Sequence, residues 1–222
     1  KLFVLLLAAG LLLGAVALVT PKAQAAQSHS DHCYCQGADA TPEGHVCETD
    51  AQWVAINSTS GNAVSVVDGG HYYLETNHAI SITVKDGKTA TLCLNGKTMR
   101  AGCPVTVYGD GILNICDCQG SGKIVSTERT KGTVMLISSS QSAVGTVHLY
   151  SGTLSGAANN GLFCRTAEVK GGIFHMYGGL LTDGSDDPDN TKDAKPGYGG
   201  NVCVYKNGDR SGQFTMYGGV IR

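Results

Sequence analysis

Near the start of the chain, His32-Cys33-Tyr34-Cys35 is followed by His45-Val46-Cys47. Cys33, Cys35, His45 and Cys47 are two close pairs of soft donors separated by a short loop, which is how a chain supplies four ligands to tetrahedral zinc. The Cys-x-Cys step is tighter than the usual zinc spacing, and a disulfide or unliganded thiols suit the same residues. A second group is acidic. Asp183, Asp186, Asp187, Asp189 and Asp193 crowd one polar stretch, where Asp187, Asp189, Thr191 and Asp193 alternate as oxygen donors for calcium would. A glycine at the sixth place of an EF-hand loop is absent, and a solvated loop accounts for the same composition. Catalysis by these carboxylates is disfavoured. Acid and base groups need a rigid frame, and a Pro-containing stretch of Ser, Asn and Thr is a poor one.

The elements that must position such groups are legible in a repeat. Gly145–Leu154 (GTVHLYSGTL), Gly172–Leu181 (GIFHMYGGLL) and Gly212–Ile221 (GQFTMYGGVI) share a glycine, two apolar residues two apart, a tyrosine and a small-Gly pair. Gly111–Cys116 (GILNIC) is a degenerate copy. Apolar residues two apart face one side of a strand, and the Gly pair after Tyr gives a bend that only residues tolerating positive φ make cheaply. The copies return after 34, 27 and 40 residues, with no amphipathic helix between them. That is the mark of a solenoid whose coils bury one another's apolar faces. Cys164 and Cys203 fall eight and nine residues before the next repeat glycine and are expected at matching places, stacked inside the coils. The polar insertion Asp183–Pro196 should loop out. Upstream, Ile80–Val84, Thr89–Leu94, Val105–Tyr108 and Ile112–Ile115 are short strand-like runs between Asp-Gly, Asn-Gly and Gly-Asp turns. An antiparallel sandwich also has short strands and turns, but not the recurrence of whole turns in register. The expectation is an all-β parallel β-helix.

If Phe174, Met176 and their equivalents face inward, His148 and His175 form one outward column and Tyr150, Tyr177 and Tyr217 the next. An exposed strip of this kind suits the C–H face and hydroxyls of a sugar. Coils one strand spacing apart would equally let the rings stack on each other as a ladder. His148 over His175 is also a chelating pair, although no third ligand is in view. Nine cysteines are an odd number, so disulfides within one molecule cannot use all of them. For Cys93, Cys103, Cys116, Cys118, Cys164 and Cys203 the expectation is an internal ladder of small buried side chains.

Residues 1–25 read as a signal peptide, with the apolar run 2–19 ahead of Ala23-Gln24-Ala25, a small-x-small cleavage signal. Its removal would take away Lys1 and Lys22 and move the formal charge from −2 to −4, which gives nucleic acid no basic surface. Residues 26–70 form a Cys/His-containing lead segment, and 71–222 the repeats, with the insertion at 183–196. A further coil or cap is expected beyond Arg222 to cover the end of the stack.

With these residues in hand, Thr91–Met99 (TLCLNGKTM), Gly111–Ile124 (GILNICDCQGSGKI) and the Phe-x-Met-x-Gly-Gly-x-Ile repeats resemble the pectin-lyase-like right-handed β-helices of large secreted proteins from anaerobic Gram-positive bacteria. The lead segment and Gly70–Leu74 (GHYYL) resemble the entry to that domain. The resemblance implies a right-handed solenoid, secretion, and a place on the cell surface or cell wall. It further implies a non-catalytic, adhesin-like role with an extracellular glycan or a host or cell-wall surface as partner, and membrane contact only through the cleaved signal peptide. Polysaccharide lyases and glycoside hydrolases also resemble this fold, which keeps an enzyme as the alternative.

Overall fold

The computed structural model describes residues 29, 34–35, 37–45, 51–56, 63–127, 131–140, 142–156, 163–184 and 200–222. The expected signal peptide (1–25), Cys33, Cys47 and most of the polar insertion, with Asp186, Asp187, Asp189 and Asp193, lie outside them. All named strands are β and every pairing between them is parallel, so the chain is a solenoid and not an antiparallel sandwich.

Three sheets run along the stack. The seven-stranded sheet takes Trp53–Ile56, Gly70–Leu74, Thr89–Cys93, Ile112–Cys116, Thr146–Leu149, Ile173–Met176 and Gln213–Met216 in that order. The five-stranded sheet takes Thr98–Ala101, Lys123–Ser126, Thr153–Ser155, Leu180–Thr182 and Val220–Ile221. The six-stranded sheet takes Ala63–Val67, Ile80–Val84, Val105–Tyr108, Lys131–Ser138, Phe163–Lys170 and Val202–Tyr205. A coil visits the seven-stranded sheet, then the five-stranded, then the six-stranded, and steps up one strand spacing.

Period-two alternation within each strand decides which side chains enter the interior. From the seven-stranded sheet Leu113, Val147, Phe174 and Phe214 stand in register, as do Leu92, Ile115, Leu149 and Met176. The five-stranded sheet contributes Met99, Ile124, Leu154 and Leu181, and the six-stranded sheet Val84, Val107, Ile137 and Val169. Apart from Phe214, which packs against it half-buried, these residues form one fully buried cluster. In-register stacking brings Phe174 and Phe214 to a ring separation of 5.2 Å. The repeat's Gly-containing pair works as its chemistry demands. Gly152, Gly179 and Gly219 hold φ of 94°, 84° and 91°, whereas Gly178 and Gly218 are places where neighbouring backbone leaves no room for a Cβ.

One expected register is corrected. Cys164 stands opposite Gly132, and Cys203 opposite Glu168, so the two cysteines are not partners. The count back from the repeat glycine misleads because Lys170 and Tyr205 are the true partners. Lys170 is followed almost at once by Gly172, while Tyr205 is followed by a tight turn closed by Asn207 and Arg210 before Gly212. The internal cysteine ladder needs correcting too. Cys93 and Cys116 are in register, but they alternate with the interior residues Leu92 and Ile115 and so belong to the outer face of the seven-stranded sheet.

Candidate functional site

That outer face gathers most of the residues capable of chemistry. Register carries one column through Tyr73, Cys93 and Cys116, and the residue after each later strand continues it as Tyr150, Tyr177 and Tyr217. The adjoining column runs Trp53, His71, Thr91, Asn114, His148, His175 and Thr215. Tyr150 and Tyr177 stack nearly parallel at 5.1 Å, and Tyr177 and Tyr217 at 4.9 Å. These are offset-stack distances, set by the spacing between coils.

The lead segment lies along this column. His29 stacks on Tyr73 at 3.9 Å and meets Trp53 edge-on at 5.5 Å. Tyr34 meets Tyr150 edge-on at 5.0 Å, and its hydroxyl is 3.3 Å from His45 Nδ1. Cys35, Ala38 and Ala40 pack against the same cluster. The backbone N–H groups of Asp39 and Ala40 both donate to the Tyr177 carbonyl at 3.0 Å, and Gly219 N–H donates to Asp39 Oδ2 at 2.7 Å. The close approach is possible because Gly178 and Gly218 lack side chains. A Cβ on Gly178 would overlap the Tyr150 carbonyl and crowd Ala38 and Asp39, and one on Gly218 would overlap Asp39.

The expected open strip is therefore corrected in its exposure. Tyr150 is 1% exposed and Tyr177 6%, while Tyr217 retains 55%. Their alignment is as expected, but the strap formed by the lead segment covers the column up to Tyr177. Burial raises both buried phenols above their usual range, so they stay neutral. His148 has Nδ1 3.3 Å from the Tyr150 hydroxyl and its ring 5.4 Å from that of His175. Burial, and then His175, push His148 down to about 4. Burial lowers His175 as well, and its Nδ1 has no hydrogen-bond partner among the described residues. Neutral imidazoles beside a phenol form a packed, uncharged band. No further His, Cys, Asp or Glu completes a metal group with this pair among the described residues.

Of the four residues expected to hold zinc, Cys35 and His45 are described, and both are placed by the Tyr34–Tyr150 contact. The metal-ligating side chains that do converge among the described residues are His29, Cys93 and Cys118, at the other end of the same column. The repeat contained a signal for part of this group. Gly111–Cys116 carries Cys116 where the later copies carry tyrosine, which places it on the outer face. Nothing in local spacing ties His29 to Cys93.

On the six-stranded sheet a second polar group forms around Glu168. Its Oε2 accepts from Thr133 Oγ1 at 2.9 Å and from Arg165 at 3.0 Å, and its Oε1 accepts from the Tyr205 hydroxyl. Sequence reasoning missed it, because its members come from three coils.

In comparisons with known proteins, no family model, curated protein or solved structure matches this chain. Function is therefore read from the geometry.

Proposed function

We propose that this chain is an exported, non-catalytic module of a cell-surface or cell-wall protein, a right-handed β-helix of the pectin-lyase-like kind that presents an aromatic face to carbohydrate. The observation that carries this reading is the fate of the repeat's aromatic and imidazole side chains. They are stacked in register along one outer face, with rings at a constant coil-to-coil spacing. A ring held by a parallel partner is a rigid platform for the C–H face of a sugar, and Thr215 in the column beside Tyr217 supplies a hydroxyl. Export is supported by the apolar run 2–19 and the Ala23–Ala25 signal.

The test is a glycan array with wild type and Tyr217→Ala, alongside thermal melts. We expect the variant to lose at least about tenfold in affinity for the glycans that wild type binds, the equivalent of one aromatic contact, with its melting temperature nearly unchanged. Unchanged binding by Tyr217→Ala, or no binding by the wild type, refutes the carbohydrate reading.

The alternative, a polysaccharide lyase or glycoside hydrolase, is favoured by the Glu168 group, where a half-buried carboxylate adjoins a guanidinium and a phenol. Against it, both carboxylate oxygens are occupied by Thr133, Arg165 and Tyr205, the arrangement of a structural network. Cleavage of an acidic polysaccharide by wild type but not by Glu168→Gln would reverse the order of the two readings.

A further inference from the structure

We propose that His29, Cys93 and Cys118 bind a zinc ion that fastens the lead segment to the early coils. The proposal is independent of the carbohydrate reading.

Each ligand comes from a different stretch of chain. Cys93 ends the strand Thr89–Cys93, Cys118 lies two residues beyond the strand Ile112–Cys116 on the next coil, and His29 belongs to the lead segment. Cys93 Sγ is 3.5 Å from Cys118 Sγ, and Cys118 Sγ is 4.0 Å from His29 Nε2. All three ligand atoms lie within 4.8 Å of one another. A tetrahedral zinc with Zn–S of about 2.3 Å and Zn–N of about 2.0–2.1 Å sets sulfur atoms about 3.8 Å apart and sulfur and nitrogen about 3.6 Å apart. The Cys93–Cys118 and Cys118–His29 separations lie within about half an ångström of those values, and the Cys93–His29 separation, within 4.8 Å, closes by up to about an ångström when an ion enters. The fourth position falls to a water or to Cys116, in register beside Cys93.

The surroundings hold the ligands in place, as metal sites require. The His29 ring is sandwiched against Tyr73 and abutted by Trp53, which fixes its plane. Cys118 follows Asp117, a buried residue whose carboxylate accepts from the N–H groups of Gly96 at 2.7 Å, Gly122 at 2.6 Å and Gln119 at 3.4 Å. That clamp fixes the turn that carries the thiol. Gln119 Nε2 lies 3.7 Å from Cys118 Sγ, where it donates to a thiolate. The site is half-buried and lined by aromatic rings, which limits competition from bulk water. Two thiolates and one imidazole are a soft donor set, suited to zinc and unsuited to calcium or magnesium.

Pinning here complements the contacts at the other end of the strap, where Asp39 and Ala40 bond to Tyr177 and Gly219. With both ends fixed, the lead segment holds its place over the column.

A disulfide between Cys93 and Cys118 is the chemical rival in an exported protein. The experiment uses the full chain, purified without added reductant or chelator, and titrated with Co2+ as a spectroscopic substitute for zinc. We expect one equivalent to bind with the d–d bands of a tetrahedral thiolate site, displaced by Zn2+. The bands should vanish in Cys93→Ser and Cys118→Ser, and His29→Ala should weaken binding at least about tenfold. Cys103→Ser, whose thiol lies elsewhere near Thr106, should leave the bands intact. His29→Ala keeps the test decisive if a cysteine variant fails to fold, because His29 lies outside the coils. The proposal is overturned by a Cys93–Cys118 disulfide in mass spectrometry of the purified protein, or by absence of the bands in folded wild type. Bands that persist without Cys93 and Cys118 also overturn it and move the metal to another cysteine group.

Discussion

Acid should weaken this protein through His148, and by an amount that the structure sets. Folding buries the ring beside His175 and takes its pKa from 6.5 to about 4. The unfolded chain therefore takes up a proton at a pH where the folded one does not. Stability contributed by the neutral ring is complete above pH 6.5, is lost as pH falls from 6.5 towards 4, and changes no further below that. At about 1.4 kcal/mol per pKa unit the loss is about 3 kcal/mol, an upper value because part of the ring meets solvent. His175, shifted the same way by burial, adds in the same direction. Asn114 occupies the equivalent place one coil earlier, so His148→Asn is a substitution that the column already accommodates. Urea denaturation followed by far-ultraviolet circular dichroism, at steps from pH 7.5 to pH 4, should show wild type losing up to about 3 kcal/mol more than the variant. Parallel stability curves for the two proteins would refute the burial of an uncharged His148.

Phe174→Ala should cost about 3–5 kcal/mol in the same assay, since the ring is fully buried between Val147 and Phe214 and its loss leaves a void; a loss below about 1 kcal/mol would place the ring outside the core. Gly178→Ala should cost about 1–3 kcal/mol by overpacking and make residues 34–45 readily cleaved by protease, because the new methyl collides with the Tyr150 carbonyl under the strap. Asp117→Ala should cost about 2–3 kcal/mol by stranding the buried N–H of Gly122 and the half-buried N–H of Gly96, and a melt equal to wild type would deny that clamp.

What the sequence disclosed about this fold was what repeats locally. Alternation within Gly172–Leu181 is enough to turn Phe174 and Met176 inward and His175 and Tyr177 outward, and the common spacing of three copies is enough to stack them. Register failed where a coil carries an irregular turn, as between Tyr205 and Gly212. Counting residues cannot register a turn that adds length without adding a strand. Exposure of the tyrosines was illegible for a different reason. Whether an outward column meets water depends on what lies over it, and the strap that covers Tyr150 and Tyr177 comes from residues more than a hundred positions away, with no periodicity of its own. The convergence of His29 with Cys93 and Cys118 is hidden by sequence separation too, 89 positions between His29 and Cys118. By contrast, Cys116 at the tyrosine position of the degenerate repeat was readable, and it marks the place where the column changes from rings to thiols.

The Asp39–Gly219 hydrogen bond joins residues 180 positions apart in a protein whose other ladders each join one coil to the next. A stack of coils held only by nearest neighbours can grow or fray one unit at a time, because no coil depends on any but the adjacent ones. The strap changes that. Its far anchor exists only when the coil bearing Tyr177 and the turn at Gly219 have formed, so docking follows the assembly of those coils although the segment precedes them in the chain. By then the stack already holds the two anchor points at a fixed separation, and the closure carries little of the entropic penalty that so long a loop would impose on an open chain. Once docked, the strap makes loss of the last described coil also a loss for Tyr150 several strands away. Fraying at one end is thereby felt along the column, and the protein should melt in a single sharper transition than a bare solenoid of the same length.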